Sequence, residues 1–395
     1  MTRKDCWRSE SDKQRRPHFL STEVLKMIGK VRTSKDQGIR RIAIIGAGAV
    51  GSSLGALLYR AGQNVVLIAR PEHVTAIRQD GLRFDGDMGN FTAPVEAIET
   101  LNFRPDLALL TVKTQDVVAA VKANQAFLND VPVVTFQNGV RSDELVASLL
   151  SRGQILSAVV LMHVTYLLPG KVTVVYHGKL ILGRPFGPRD GQLEQVAHIL
   201  NQAVSTRVTD NIQGAHWLKL IVNLNNALPA ITNDTMSQVY ANPYLRDLAV
   251  GLMREGLRVI NRANIRLESL PGFSVGLARL MSWMPPGVAG RIAATKVRRL
   301  ATLWPLLGST LQSIQRGRPT EIDYLNGEIV ELGKRSGEAT PLNTQTVELV
   351  HQVERTGQFL SVQEIRRAYE KAKGSERLRS IGDEVKRSFF GRIRK

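Results

Sequence analysis

The hydrophobic positions of the chain follow two different periods. In the first half, short apolar runs bounded by turn residues alternate with helical patterns; the runs include "RIAIIGAGAVG", "NVVLIAR", "LALLTV" and "VPVVTFQNG". Strands that alternate with helices in this way predict a parallel sheet covered on both faces. Further runs, "ILSAVVLMHV", "KVTVVYHG" and "KLILGRP", predict additional strands, some of them antiparallel.

From Asn211 onward the apolar period is helical, with a Pro-Gly break at "SWMPPGVAGR". The pattern therefore predicts an α/β domain at residues 39–210 and an all-helical domain at residues 211–356. Two flanking segments, 1–38 and 357–395, are predicted to be basic extensions, and the first of them to be flexible because it lacks sustained periodicity.

The net charge of +18 is concentrated in these tails. Residues 1–38 carry ten Lys/Arg against five Asp/Glu, and residues 361–395 carry eleven against five. The tails thus supply +11, and +7 remains for the rest of the chain. Contact of the tails with nucleic acid or an anionic membrane stays an alternative to a solvated charged surface.

The single cysteine, Cys6, excludes a disulfide framework and any cysteine-based metal site, and we predict no bound metal. The basic N-terminus is followed by no adequate apolar segment of the kind found in secretory signals. The uncharged run Ile42–Tyr59 is long enough to span a bilayer, but its Gly and Ala content fits the glycine motif below. We expect a cytoplasmic protein.

A glycine motif of the form G-x-G-x-x-G directly follows the first β-rich run and opens a helical pattern, which is the context of a dinucleotide-binding turn. The first glycine permits the tight turn, the second lets the backbone approach a pyrophosphate, and the third permits close helix–strand packing. A glycine-rich turn without a ligand is the alternative. The predicted cofactor contacts in this turn are Gly46, Ala47, Gly48, Ala49, Val50 and Gly51.

The next strand ends at Arg70, where an NAD site would place an acid to hold the ribose hydroxyls. A guanidinium at this position suits the 2′-phosphate of NADP, and Arg78 is a candidate helper. Glu72 lies close by and leaves NAD open, and a solvent-facing arginine without a ligand is a further alternative. We predict NADP, used as NADPH.

Two later loops carry polar side chains directly after strands. Lys113 follows "LALLTV", and Asn138 follows "VPVVTFQ". Because ligands bind beyond the carboxyl ends of strands in an open parallel sheet, both residues are predicted to reach the nicotinamide ribose or a substrate. Ordinary turn chemistry at Asn138-Gly139 is the alternative.

The apolar helical segment "HWLKLIVNLNNALPAI" is interrupted by Lys219, Asn223 and Asn226. Steps of four and seven residues return to within about 40° on a helix, so these three residues share one face. Asn225 falls roughly 120° away from them. Since Asn is a poor helix former, a cleft-facing polar stripe is the sharper interpretation, and a solvated face is the alternative.

These motifs, together with "GRPTEIDYLNGEIVELGKRSGEATPLN", resemble the 2-dehydropantoate 2-reductase (ketopantoate reductase) family over roughly residues 40–355. The resemblance implies a Rossmann-type dinucleotide-binding domain joined to a helical domain similar to that of 6-phosphogluconate dehydrogenase, with the active site between them. It also implies NADPH-dependent reduction of 2-dehydropantoate to (R)-pantoate, a step toward pantothenate and coenzyme A.

The resemblance further implies roles for individual side chains. Hydride addition to a ketone leaves developing negative charge on oxygen, which a proton donor with a pKa lowered by burial can neutralise. The implied roles are Lys219 as general acid, Asn223 and Asn226 as substrate-binding amides, Ser309 as the substrate-carboxylate contact, Glu321 as the acid near cofactor and substrate, and Lys113 and Asn138 as cofactor-side contacts, Asn138 also facing the substrate.

Glu321 follows a predicted helix break at Gly317 to Pro319. Thr320 is predicted to cap the next helix, with Asp323 closing a capping box and the helix dipole stabilising the Glu321 carboxylate. A purely structural role is the alternative for this acid.

The chain departs from the family pattern at two site positions. The second amide usually stands eight residues after the lysine, where this chain has Ala227, and the segment "SSMLQD" is "GSTLQS" here, which keeps Ser309 and loses an acid. A same-fold NADPH reductase of a different 2-oxo acid is therefore an alternative, as is a low-turnover cofactor-binding protein recruited by its tails. A small 2-oxo acid is the expected substrate, and the oligomeric state is open between monomer and homodimer.

Overall fold

The computed structural model describes residues 39–166, 168–300 and 307–372 of the 395-residue chain. The predicted N-terminal extension at 1–38 lies outside the described residues, as does the C-terminal extension from residue 373 onward. The described residues from Arg40 onward belong to one compact unit.

Strands of the described residues form two sheets. Those at the centre of the larger sheet are buried along their full length, as expected where helices cover both faces. In chain order the strands are β1 (Ile42–Ile45), β2 (Val65–Ile68), β3 (Leu82–Gly86), β4 (Phe91–Ala93), β5 (Glu96–Ile98), β6 (Leu107–Leu110), β7 (Val133–Thr135), β8 (Ile155–Val160), β9 (His163–Thr165), β10 (Lys171–Tyr176), β11 (Leu180–Gly183) and β12 (Thr206–Val208).

The larger sheet has the strand order β12-β11-β8-β7-β6-β1-β2-β5. Ile42–Ile45 of β1 pair in parallel with β2 on one side and with β6 on the other, while β11 pairs antiparallel with β8. Because the strand order reverses at β1, a crevice opens beyond the carboxyl ends of β1 and β6, where such sheets bind ligands. The predicted α/β fold is confirmed.

The smaller sheet has the order β4-β3-β10-β9. The run "ILSAVVLMHV" predicts a single strand, but the structure divides it between β8 and β9, which belong to different sheets. Gly178 contributes to this change of sheet, since a side chain there would collide with the carbonyl of Leu161. The spacing of hydrophobic residues along the sequence does not predict this contact, because only the folded chain brings Gly178 and Leu161 together.

Helices cover the larger sheet and build the second half of the chain, as predicted. They are α1 (Ala49–Arg60), α2 (Pro71–Asp80), α3 (Val117–Leu128), α4 (Ser142–Ala147), α5 (Gly191–Ala203), α6 (Ile212–Asn223), α7 (Ala227–Thr232), α8 (Met236–Ala241), α9 (Pro243–Arg262), α10 (Val275–Trp283), α11 (Pro286–Leu300), α12 (Ser309–Gln315), α13 (Asn326–Ser336) and α14 (Pro341–Thr356). Within the described residues, every helix is too short or too polar to cross a lipid bilayer.

The α/β half and the helical half of the chain, called the two lobes below, share a hydrophobic core. Val159 of β8 and Ile181 of β11 pack in one buried cluster with Ile212 and Leu218 of α6. Each fully buried side chain of this kind stabilises the fold by about 1.5–3 kcal/mol. The shared core therefore holds α6, which carries Lys219, against the sheet rather than on a loose hinge.

The segment that carries the polar stripe is not one continuous helix. α6 is followed directly by a 3₁₀ turn at Leu224–Asn226, and α7 begins after it. Pro229 lies in the first turn of α7 and has no N–H to donate to the carbonyl of Asn225, so the α-helical hydrogen bond between these two residues cannot form. The prediction of a single helical register is wrong at this position.

The helical core extends past the boundary predicted at residue 356. Residues 362–372 are helical, and Ile365 and Tyr369 are buried in the same core cluster as α6. The Tyr369 hydroxyl lies 2.6 Å from Oγ1 of Thr346, and the Leu360 N–H donates to the carbonyl of Ile231 at 2.8 Å. The first part of the predicted C-terminal extension is thus an integral part of the fold, because its apolar face is covered.

Candidate functional site

The glycine turn connects β1 to α1 at the centre of the sheet. Gly46 has φ +97°, and a Cβ on it would lie 2.6 Å from the backbone nitrogen of Val112. A Cβ on Gly51 would lie 2.6 Å from the Gly46 carbonyl oxygen. Both positions therefore exclude any side chain, which keeps the start of α1 directly against the turn.

Gly48 differs from these two glycines because its free side faces open space. A Cβ on Gly48 would meet no other atom nearer than the Gly46 carbonyl at 4.0 Å. Gly48 precedes the first residue of α1, whose first turn carries no acid and whose start has no side-chain cap. The exposed N–H groups and the positive end of the helix dipole fit a diphosphate, so the turn is suited to a dinucleotide.

Three arginines, Arg70, Arg316 and Arg318, lie close together beside this turn. Arg70 is the N-cap residue before α2, two residues after the end of β2, and Arg316 follows α12 and donates to the carbonyl of Tyr166 at 2.9 Å. Burial lowers the pKa of Arg316, and the nearby charges of Arg318 and Arg70 lower it further. None of the three forms an ion pair within the described part of the chain, so together they are suited to an anionic ligand. Arg78, the candidate helper, instead donates its Nε to the carbonyl of Ala97 at 3.0 Å.

Sequence reasoning missed Arg316 and Arg318. Both belong to the helical half of the chain, and the structure returns them to the end of β2. The string "QRGRPT" directly before Glu321 is the signal that could have identified them, because two arginines flank a turn glycine there.

Lys113 lies at the interface of the two lobes. Its Nζ donates to Ser313 Oγ at 2.6 Å and to the Pro319 carbonyl at 2.7 Å, both on the helical side. Burial lowers the pKa of Lys113, and the charge of Glu321 raises it. Ser313 occupies the position at which the resembling family has an acid, so here the lysine is held by a hydroxyl and a carbonyl.

Glu321 is joined to the α/β lobe through Thr114. Its Oε1 accepts a hydrogen bond from the Thr114 N–H at 3.1 Å and lies 3.0 Å from the Thr114 hydroxyl. The same hydroxyl lies 3.0 Å from the Asn138 carbonyl oxygen. The structure therefore brings Glu321 to the loops after β6 and β7. Thr114 was missed, although it directly follows Lys113 in "TVKTQD".

Thr320 Oγ1 accepts a hydrogen bond from the Ile322 N–H at 3.3 Å, but the predicted capping box with Asp323 is wrong. The Thr320 N–H donates to Glu354 Oε1 at 2.7 Å, and Asp323 Oδ1 lies 3.0 Å from Nε2 of His351. Both partners are on α14, which local sequence does not place beside this turn. The segment after Glu321 is a 3₁₀ turn of three residues, so the predicted stabilisation by an α-helix dipole does not apply to its carboxylate.

Lys219, on α6, lies near the Glu321 carboxylate. Burial lowers its pKa from the ordinary lysine value to about 8, and the nearby charge of Glu321 raises it in part. One turn further along, Asn223 Nδ2 lies 3.4 Å from Asn138 Oδ1. The stripe therefore faces the same loops that receive Glu321, and it is not a solvated face.

The two amides of the 3₁₀ turn point to different places. Asn225 is buried, and its Nδ2 donates to the Tyr240 hydroxyl at 2.9 Å inside the helical core. Asn226 is half-buried, and its carbonyl oxygen would lie 3.3 Å from a Cβ on Gly308. Ser309, the first residue of α12, is therefore next to Asn226, whereas Asn225 lies away from the stripe as predicted.

A buried polar network lies behind the stripe. Ser157 Oγ is 2.7 Å from His216 Nε2 and 3.1 Å from Thr135 Oγ1, which donates to Asp143 Oδ1 at 2.6 Å. Burial lowers the pKa of His216 to about 3, and the charge of Lys219 lowers it further; burial raises the pKa of Asp143 to about 6. The imidazole is thus neutral, and the network anchors α6 to β7 and β8 without adding positive charge beside the lysine. Sequence reasoning missed it.

Both halves of the chain match one known protein family. The sequence matches the family "Ketopantoate reductase PanE/ApbA" over residues 42–185 and its C-terminal counterpart, "Ketopantoate reductase PanE/ApbA C terminal", over residues 211–354. A 2-dehydropantoate 2-reductase of Pyrococcus horikoshii is 30% identical over 309 residues, which cover 77% of this chain and 94% of the relative.

Solved structures show the same architecture. A PanE/ApbA family ketopantoate reductase from Ralstonia eutropha JMP134 has 30% sequence identity and a TM-score of 0.67, covering 80% of this chain and 98% of the other. A D-mandelate dehydrogenase solved with NADH and anilino(oxo)acetate has a TM-score of 0.70 over 80% of this chain and 99% of the other; at 24% identity it shows the fold alone. With both halves matched in order and the predicted motifs gathered in one crevice, this chain belongs to the ketopantoate reductase PanE/ApbA family.

Proposed function

We propose that this protein catalyses the NADPH-dependent reduction of 2-dehydropantoate to (R)-pantoate, a step toward pantothenate and coenzyme A. The observation that carries the proposal is the half-buried Lys219 ammonium, which faces Glu321 and the loops after β6 and β7 beside a dinucleotide-type turn. The relatives that bear the name 2-dehydropantoate 2-reductase support it.

The residues present fit a nicotinamide dinucleotide. The open side of Gly48 and the start of α1 suit its diphosphate, and Arg70 with Arg316 and Arg318 suits the additional 2′-phosphate of NADPH. When bound, the cofactor supplies the hydride. Thr114 and Lys113 place the loop after β6 where it can contact the nicotinamide half, and Glu321 holds this loop through two hydrogen-bonding positions.

The chain's own chemistry in this reaction is proton donation and orientation. Lys219 stabilises the oxyanion that develops at the keto oxygen and transfers its proton there. Asn223 and Asn226 orient the small polar substrate through neutral amides that do not compete with its carboxylate, and Ser309 donates to that carboxylate. Neutral His216 leaves Lys219 as the cation nearest to the reacting oxygen on α6.

A second candidate function is reduction of a different 2-oxo acid by the same chemistry. The observation that favours it is Ser313, which stands where the family pattern has an acid and accepts a hydrogen bond from Lys113. Ala227, where the pattern has the second amide, changes the substrate side as well. Both differences leave the proton donor and the glycine turn intact, so they bear on substrate identity more than on the cofactor or the reaction type.

A panel of 2-oxo acids, each assayed with NADPH and with NADH, tests the proposal. The highest kcat/KM is expected for 2-dehydropantoate with NADPH. A higher kcat/KM for another 2-oxo acid would select the second candidate. Tight NADPH binding without turnover of any acid would contradict both and favour a cofactor-binding protein of low turnover.

The pH dependence of reduction should report the lowered pKa of Lys219. Proton donation requires the ammonium form, so kcat/KM is expected to be level below about pH 8 and to fall above it, well before the ordinary lysine range. Oxidation of the alcohol requires the neutral amine and should rise over the same interval. Glu321→Gln removes the charge that raises this pKa and should move the midpoint to lower pH. An unmoved midpoint in that variant would contradict the assignment to Lys219.

The two neighbouring amides should separate binding from stability. Asn226→Ala is expected to raise KM for the 2-oxo acid by about tenfold with little change in melting temperature, because one polar substrate contact is lost. Asn225→Ala should instead leave KM unchanged and lower stability by about 1–3 kcal/mol, since it leaves the buried Tyr240 hydroxyl without its partner. The reverse pattern would show that the 3₁₀ turn presents Asn225 to the substrate.

A further inference from the structure

A long stretch of the helical lobe contains no acidic residue. Between Glu268 and Glu321 the chain has seven Lys/Arg and no Asp or Glu. Its central part, Val275–Leu300, contains the two consecutive helices α10 and α11, which are joined by Met284 and Pro285, and is called the basic hairpin below. The hairpin carries five of the seven cations.

The basic hairpin also exposes large apolar side chains. Four of the eight exposed large hydrophobic residues of the described chain lie on it, with exposed fractions of 52% for Leu280, 88% for Trp283, 45% for Val288 and 43% for Ile292. Leu280 and Trp283 are one turn apart on α10, and Val288 and Ile292 are one turn apart on α11. Exposed large apolar side chains usually occur singly on a protein surface, whereas these four lie on two consecutive helices.

The inner face of the hairpin is already packed. Met281 and Ala289 are buried in a small cluster with Val250 of α9. The exposed apolar residues therefore belong to the outer face, and they are not a misplaced part of this core. The hairpin is amphipathic, because one face is buried against α9 while these four side chains remain 43–88% exposed.

Cations accompany the apolar residues on these two helices. Arg279 precedes Leu280 and Arg291 precedes Ile292; both arginines are exposed and form no ion pair within the described residues. Arg298 is exposed in the same way two turns further along α11. Long arginine stems lie along apolar surface while their charged ends remain in water, and Trp is favoured where an apolar medium meets a wet one.

We propose that the outer face of the basic hairpin docks on a lipid bilayer surface that contains anionic lipid. Trp283 and the aliphatic side chains enter the boundary between headgroups and acyl chains, and the arginines contact the lipid phosphates. This site is separate from the crevice at β1 and β6, so the inference does not depend on the proposed reaction.

The charge of the hairpin favours a bilayer over the other possible occupants. A two-fold contact with a second copy would bring this acid-free segment against itself, so its cations would repel one another. Nucleic acid would satisfy the arginines but would leave four large apolar side chains against a polar backbone. An anionic bilayer offers acyl chains to the apolar side chains and lipid phosphates to the arginines.

Vesicle co-sedimentation of the full-length chain tests the inference. The probes are phosphatidylcholine vesicles and vesicles of equimolar phosphatidylcholine and phosphatidylglycerol. The wild-type chain is expected to bind the anionic vesicles, and the double variant Leu280→Ser/Trp283→Ser should lower the partition coefficient by about tenfold or more. A charge variant, Arg279→Glu/Arg291→Glu, should lower it similarly.

Matched variants keep the test specific. Tyr176→Ser removes an aromatic residue of 47% exposure on β10 and should leave vesicle binding unchanged. Because the basic tails are the same in every variant, they cannot produce a difference between them. Equal binding of the wild type and Leu280→Ser/Trp283→Ser would overturn the inference. So would a wild-type dimer in sedimentation equilibrium that this double variant dissociates, because the outer face would then belong to a second copy.

Discussion

Lys219→Ala is expected to lower kcat for reduction of the 2-oxo acid by at least about 10²-fold, the usual contribution of a positioned acid. The loss should appear mainly in kcat, because the ammonium acts on charge that develops only in the transition state and contributes less to ground-state binding. Steady-state kinetics with NADPH and the preferred acid measure both constants.

Stability provides the control for this variant. Burial disfavours the charged form of Lys219 and lowers its pKa to about 8, so the folded protein at neutral pH carries a partly desolvated ammonium. Lys219→Met keeps the aliphatic stem and removes the charge, and it should not lower the melting temperature. Lys334→Ala, at an exposed lysine paired with Glu331, should leave kcat unchanged. Near-normal kcat in Lys219→Ala would contradict the catalytic role.

Arg70→Ala is expected to raise KM for NADPH and to leave KM for NADH nearly unchanged. Loss of one charge-assisted contact to the 2′-phosphate should cost about 1.5–3 kcal/mol, which corresponds to a rise of roughly ten- to hundredfold. Arg316→Ala should act in the same direction, since this guanidinium lies close to Arg70. Cofactor titrations at fixed 2-oxo acid measure the effect.

Arg207→Ala is the matched control, because this exposed arginine lies on β12 at the far edge of the sheet and pairs with Glu268. It should leave both cofactor constants unchanged. An Arg70→Ala protein that retains the wild-type preference for NADPH would contradict a 2′-phosphate contact at this position. A preference lost only on mutating Arg316 or Arg318 would assign that contact to the helical lobe instead.

Local features of the sequence predict the main architecture. Alternating β and helical periods predict the sheet and the all-helical half, and both are confirmed. The glycine spacing predicts the turn after β1, because positive φ at Gly46 and close packing at Gly51 are requirements of a few consecutive residues. The motif set also predicts the family, which the comparisons confirm.

The helical stripe was predicted in part. A period of 3.6 places Lys219 and Asn223 on one face and directs Asn225 elsewhere, and the structure agrees. The period alone does not include the 3₁₀ turn, although Pro229 in the same segment was a readable sign of it. Register beyond such a break depends on how α7 packs, which is not a property of the segment itself.

Tertiary structure alone decided the contacts that join distant parts of the chain. Glu321 meets Thr114 across 207 residues, Lys113 meets Ser313 across 200, and Ser157 meets His216 across 59. Patterns of a few residues determine turns and the helix face on which a side chain lies, because these depend on backbone sterics and nearest neighbours. Which polar groups become partners, and how far burial shifts the pKa of Lys219, depends on the shared core that brings the two lobes together, and that core forms only in the folded chain.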